Sequence, residues 1–341
     1  MTVLQACVAK SGSFWLHRIL RSIGEQAGFS HRSFITSHPI HAESKDRDLS
    51  FAGQGDMDFL DIEPKRCFFR VSSVFREPVK DIDSYIRECS LVWTHSPVYE
   101  SSPTVLSRFD RIVYIVRDPR DVALSMSRFA FTPYFRKHYP HYDNDPDSHL
   151  ANNLDNMTRY WVRHVGGYLK LKGALCIHFV FYERLVKAFD SELSKLLKYL
   201  DIDLSSTALA NIRKEVSFPE MKKENPAHLH TGKSGEWVSQ LSRDQQALVA
   251  GIAGPMLDLL GYAAFEVALS SSLPALHEDM SRDDVERARA ASKRTAAETM
   301  QYIWGFVTRK QSLRAKWKLI NKWTLALINR FYSPKTLKMR R

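Results

Sequence analysis

Three short stretches of this sequence set cations beside hydroxyls or glycines: AKSGS at 9–13, RDPRDVALSMS at 117–127 and HLHTGKSGEW at 228–237. Each suits an anionic oxygen. In the first, a strand, a small-residue turn and a helix follow one another, a geometry that aims unpaired backbone N–H groups at an anion. Gly12 lets the chain approach closely, Ser11 and Ser13 add hydroxyl donors, and Lys10 adds a charge. The GxxxxGK[ST] pattern is absent, so this is not a Walker A loop. In the second, Arg117 stands at the end of a strand-like run, where its fork suits phosphate, and Ser125 lies two helical turns further on. Taken alone, Arg117 is better read as a surface residue paired with Asp118 or Asp121. In the third, Gly232 and Gly235 flank Lys233 in a loop that either wraps a phosphate or is simply solvated.

The elements that must carry these loops are legible in outline. TVLQACVA (2–9) reads as a short buried strand, and FWLHRILRSIGEQAG carries helical spacing up to Gly28. RCFFRVSS (66–73), CSLVWTH (89–95), RIVYIV (111–116) and ALCIHFVFYE (174–183) are strand candidates. Asp118 and Pro119 predict a capped helix start, and further helices are expected over about 148–172, 184–200, 205–214 and 242–260. Residues 30–66 read as a loop-rich insertion. Alternation of strands and helices predicts an α/β fold with a mostly parallel sheet covered on both faces. The domain reading is 1–265 for this unit, 266–280 as a linker and 281–341 as a helical basic extension beginning at a Ser281 cap.

Charge sharpens the division. The chain of 341 residues carries a net +11, and residues 301–341 alone hold eleven cations with no acid, so the remainder is neutral. The main unit therefore offers no general electrostatic argument for nucleic acid. In the tail, Leu313, Trp317, Ile320, Trp323, Leu327 and Phe331 fall on one helical face. Such a basic amphipathic helix suits an anionic membrane surface, or docking on the main unit or a second subunit. Four scattered cysteines without a CxxC pair read as reduced thiols. With no basic leader and no long apolar run, the expected setting is cytoplasmic, with peripheral attachment at the inner membrane surface as the tail's alternative.

Taken together and in this order, the motifs resemble the cytosolic-type family of sulfotransferases that use 3′-phosphoadenosine 5′-phosphosulfate (PAPS). AKSGSFWL looks like the family's 5′-phosphosulfate loop, VRDPRDVALSMS like its 3′-phosphate segment, and TGKSGEW like its late Gly-rich loop. WTHSP resembles the segment with the catalytic histidine, and FYE (181–183) and SFPEMKKENP (217–226) match two further stretches. The resemblance spans about residues 2–262. It implies a P-loop-like nucleotide-binding fold and sulfuryl transfer to a hydroxyl, less readily an amine, by in-line displacement, leaving 3′-phosphoadenosine 5′-phosphate (PAP). It further implies His95 as general base and Lys10 on the departing phosphate. Lys10, Ser11, Gly12, Ser13, Phe14 and Trp15 would hold the 5′ side, with Trp15 able to stack on adenine. Arg117 and Ser125, with His230, Thr231, Gly232 and Lys233, would hold the 3′-phosphate. Tyr182, Ser217, Phe218 and Met221 would line the base and ribose, or simply pack in the core.

Three departures stand out: Phe14 replaces a loop hydroxyl, Trp93 replaces a lysine two residues before the base, and His230–Thr231 replace an Arg-Lys pair. They keep alive a different class of reading, a nucleotide-binding scaffold attached to membranes by its tail. The chemistry needs no metal, and the His and Asp residues of KHYPHYDNDPDSH (137–149) are too irregularly spaced to suggest a site. That segment, with Phe131, Tyr134, Phe135 and Tyr139, reads equally as a mobile acceptor-side loop or as a solvated loop with aromatic anchors. The acceptor itself, a small molecule, glycan or lipid hydroxyl, and the oligomeric state are not specified by sequence.

Overall fold

A computed structural model describes residues 1–44, 48–51, 53–71, 75–224, 232–262 and 273–300. Seven strands form one sheet: β1 (Val3–Cys7), β2 (Asp58–Ile62), β3 (Cys67–Arg70), β4 (Arg76–Pro78), β5 (Leu91–Thr94), β6 (Arg111–Val116) and β7 (Ile177–Phe181). Their spatial order is β4-β3-β2-β5-β1-β6-β7. β2, β5, β1, β6 and β7 run parallel, while β3 and β4 add an antiparallel edge.

Parallel strands covered on both faces read as continuous apolar runs, and their side chains still divide between the faces with period two. Leu4, Ala6, Ile112, Tyr114 and Val116 point into one core, beneath the helices Pro146–Leu169 and Arg243–Leu259. Val3, Cys7, Val113 and Ile115 point into the other, beneath Ser13–Gln26 and Phe189–Leu200. β1 and β6 are neighbours, yet their following helices leave to opposite faces. Ser13–Gln26 buries Leu16, Ile19 and Ile23 in one core, and Pro119–Ala130 buries Val122, Ala123 and Leu124 in the other. That reversal opens a crevice at the carboxyl ends of β1 and β6, where ligands of such sheets bind.

Residues 30–66 need correction from loop-rich insertion to sheet-forming segment. They hold short helices at Phe34–Ser37 and Ile40–Ser44 and the strand β2, which sits between β3 and β5. Its sequence DFLDI hides this because Asp58 is buried, where it accepts the Ile35 N–H at 2.9 Å. The cap reading at Ser281 holds, with Ser281 and Asp284 bonding each other's backbone N–H. The helix Arg282–Ala291 buries Val285 and Ala288 and falls within a unit Met1–Ser292, so this first part of the extension packs with the main core. The basic face of 301–341 lies outside the described residues.

Candidate functional site

At the carboxyl end of the sheet lies a cleft of about 440 Å³. Its floor is the turn between β1 and the helix Ser13–Gln26. Lys10 (φ 71°) and Gly12 (φ 86°) both adopt left-handed backbone there, folding the turn tightly enough that no side chain caps the helix. Its first N–H groups are thus left facing the cleft end. A Cβ on Gly12 would lie 2.4 Å from the Tyr182 ring, so only glycine fits. Lys10 sets its ammonium 4.4 Å from the centre of the Phe129 ring. Burial, aided by the charge of Arg117, pulls it down to about 8.

Arg117, just past β6, is buried and reaches three ways. It donates to the Lys10 carbonyl at 3.2 Å and the Lys233 carbonyl at 3.0 Å, and stands over the Tyr182 ring at 4.3 Å. Asp121 lies 3.7 Å away, one of the two pairings the sequence suggested. Asp121 also accepts the backbone N–H groups of Gly235 (2.7 Å) and Trp237 (3.0 Å), fastening the late loop to the β6 side. Gly232 sits so close to Phe218 that a Cβ would come within 2.5 Å of its ring. The three distant stretches therefore meet in one place. Buried Ser11 Oγ and Arg117 Nε have no hydrogen-bond partner, the mark of a site shaped for an anion the protein does not itself supply.

His95 follows β5. Its Nδ1 lies 3.1 Å from the Cys7 carbonyl, and since a carbonyl only accepts, Nδ1 carries the hydrogen and Nε2 keeps its lone pair. Burial, then the charges of Arg70 and Lys10, draw its pKa down to about 4, so the ring is neutral at pH 7. The helix Pro146–Leu169 holds its backbone in place. Tyr160 Oη and His164 Nε2 donate to the His95 carbonyl, Tyr168 Oη donates to that of Ser96, and Tyr114 Oη donates to His164 Nδ1 at 2.8 Å.

Part of the cleft wall is apolar. Phe14, Phe51, Met57, Phe59, Trp93 and Met221 form one cluster, with Phe14 edge-on to Phe51 at 5.1 Å. Two of the three departures thus share a physical reason: Phe14 and Trp93 build one aromatic wall, and Trp93 is 2% exposed. Of the expected residues, Lys10, Gly12, Ser13, Phe14, Trp15, His95, Arg117, Ser125, Tyr182, Phe218, Met221 and Gly232 line the cleft. Trp15 stacks on Phe189 and donates to the Val216 carbonyl at 2.9 Å. Ser11, Ser217 and Lys233 stand behind the lining, Ser217 accepting the Met221 N–H and Lys233 contributing its carbonyl to Arg117. His230 and Thr231 lie outside the described residues. Of the aromatic residues expected on the acceptor side, Phe135 and Tyr139 line the cleft, whereas Phe131 packs on His141 and Tyr134 on His138. Sequence reasoning missed Arg70, Phe51, Phe59 and Phe129 in the lining; the sheet order brings Arg70 and Phe59 there, and no local motif marked any of the four.

Residues 2–251 match the family model of the sulfotransferase domain. Sulfotransferase 1A1 of Canis lupus familiaris is 29% identical over 144 residues, 41% of this chain and 47% of that protein. Cytosolic sulfotransferase 1 of Danio rerio is 25% identical over 260 residues, 70% of this chain and 77% of that one. The Bos taurus sulfotransferase 1A1 is 27% identical over 178 residues, 46% of this chain and 58% of that protein, so the match spans about half of the dog and cattle proteins. Among solved structures, mouse sulfotransferase SULT7A1 complexed with PAP aligns over 73% of this chain and 81% of that one, at 23% identity and a TM-score of 0.47.

Proposed function

The chain belongs to the sulfotransferase domain family, and from that premise we propose that it moves a sulfuryl group from PAPS to an acceptor hydroxyl. The observation that carries this reading is the meeting of Lys10, Arg117 and His95 in one cleft beside buried polar atoms that lack partners. The residues fit the donor. Lys10 and the N–H groups after Gly12 would hold its 5′ side. Arg117, Ser125 and the loop from Gly232 would hold the 3′-phosphate, and Tyr182 and Phe218 the base and ribose.

The donor supplies an electrophilic sulfur with a phosphate leaving group. His95 Nε2, the lone pair left free by the Cys7 contact, takes the acceptor proton as the acceptor oxygen bonds to sulfur. The S–O bond to the phosphate breaks on the opposite side. Lys10 then meets the negative charge that gathers on the departing oxygen, in a site dry enough to make that contact strong. The apolar wall would seat the acceptor's body and exclude water from the transfer.

Radiolabelled PAPS with a panel of phenols, alcohols, sugars and lipids tests the reading. It expects labelled product with stoichiometric PAP, and transfer to no member of the panel would contradict it. Attachment of 301–341 to anionic membranes stays a proposal read from sequence. Salt-sensitive co-sedimentation of the full chain with phosphatidylserine vesicles supports it, and absence of sedimentation at low salt removes it.

A further inference from the structure

Arg70, the last residue of β3, is the cation of the acceptor wall. In the sheet register Arg70 pairs with Phe59, and Phe59 pairs with Trp93. The three residues form a row across β3, β2 and β5 on the face that opens to the cleft. Arg70 and Trp93 are thus two strand spacings apart, about 9.5 Å. The arginine folds back over this gap, its Cζ 4.9 Å from the Phe59 ring centre, which is itself 5.0 Å from Trp93. Trp93 in turn stands edge-on to His95 at 5.5 Å. A guanidinium therefore lies along the apolar wall on the His95 side of the cleft.

Its charge faces Asp61, but its hydrogen bonding is incomplete among the described residues. Asp61 pairs with Arg70 Nε at 3.5 Å without making a hydrogen bond, and buried Nε has no hydrogen-bond partner. Asp61 is also shared with Arg76, which pairs with Glu63 as well. Phe59, over which it lies, belongs to one apolar cluster with Phe14, Phe51 and Trp93, and Ser50 and Gln54 also line the cleft. A buried guanidinium N–H left without a hydrogen bond is costly unless a ligand completes the group's hydrogen bonding.

Building on the proposed sulfuryl transfer, we propose that the acceptor carries a carboxylate that binds Arg70, besides an apolar body and the hydroxyl presented to His95. A singly charged group is favoured over a phosphate because Asp61 already faces the same guanidinium, and a second excess charge would be repelled. The acceptor must reach from Arg70 past the Phe59 and Trp93 rings to His95, which suits an aryl or alkyl spacer between carboxylate and hydroxyl.

The probes are para-hydroxyphenylpropanoate and its methyl ester, assayed with PAPS on the full chain and on its Arg70→Met and Arg70→Lys variants. The acid should exceed the ester in kcat/KM by tenfold to a hundredfold, the scale of charge-assisted hydrogen bonds, mainly through KM. Arg70→Met should bring the ratio near one, and Arg70→Lys should keep part of it. Because each ratio is taken within one protein, a partly unfolded variant does not distort it. Equal use of acid and ester by the unaltered chain, or a ratio unmoved in Arg70→Met, overturns this inference while leaving sulfuryl transfer standing. Transfer to neither probe nor to any hydroxyl of the wider panel overturns both.

Discussion

Lys10 must carry its proton to meet the charge of the leaving phosphate, yet burial and Arg117 draw it down to about 8. The profile of kcat/KM for PAPS should therefore lose activity above neutral pH, falling to about a tenth of its plateau at pH 9. A lysine at its ordinary 10.5 would lose only a few per cent there. Two further results fix the assignment. Arg stays protonated throughout this range, so Lys10→Arg should lower the plateau but abolish the limb. At saturating PAPS the bound anion favours charged Lys10, so the limb in kcat should move above 8. The donor's own 3′-phosphate titrates near 6, so the acid side is better read on the free protein. There, the His95 ring resonance, assigned against His95→Gln, should stay near its neutral position to about pH 5 and reach its midpoint near pH 4. Initial rates with radiolabelled donor and proton NMR suffice. A basic limb near 10, a limb at 8 that persists in Lys10→Arg, or a His95 midpoint near 6.5 would each refute the reasoning.

His95→Gln should cut turnover about a hundredfold or more while PAP affinity measured by calorimetry stays within about threefold; turnover like that of the unaltered protein would strip His95 of the base role. Gly12→Ala places a Cβ 2.4 Å from Tyr182 in left-handed backbone, so it should cost about 1–2 kcal/mol in urea unfolding and weaken PAP at least tenfold. An alanine variant with native stability and affinity would show the turn is looser than described. Buried Glu183 accepts the Asp118 N–H and the Tyr262 hydroxyl, and desolvation raises it from 4.5 to about 7. A raised carboxyl adds stability that is full below pH 4.5 and lost as pH rises through 7. The advantage of the unaltered chain over Glu183→Gln should thus be about 2 kcal/mol greater at pH 5 than at pH 8, and an advantage independent of pH would count against it.

What the sequence disclosed was whatever depends on neighbours along the chain. β1 and β6 show themselves because strands buried on both faces need unbroken apolar runs, and Lys10, Gly12, Arg117 and Gly232 because anion loops need particular residue types side by side. β2 stayed hidden because its two aspartates look solvent-facing, whereas Asp58 is buried to receive a backbone N–H from residue 35. Arg70 gave no local signal. Its place in the cleft exists only because β3 and β2 lie beside β5, an order set by pairings between distant segments. The same holds for Asp121, whose bonds to Gly235 and Trp237 span more than a hundred residues, and for the tyrosines and His164 that hold the His95 backbone. The departures at Phe14 and Trp93 looked like losses one at a time, and in space they are one wall.

The central claim is that three separated loops recognise a nucleotide phosphorylated at both its 3′ and 5′ positions. Calorimetric titration with adenosine 3′,5′-bisphosphate and, separately, with adenosine 5′-monophosphate measures this directly. The account predicts at least tenfold tighter binding of the bisphosphate, a preference that Arg117→Met largely removes. Equal affinities for the two nucleotides would contradict it.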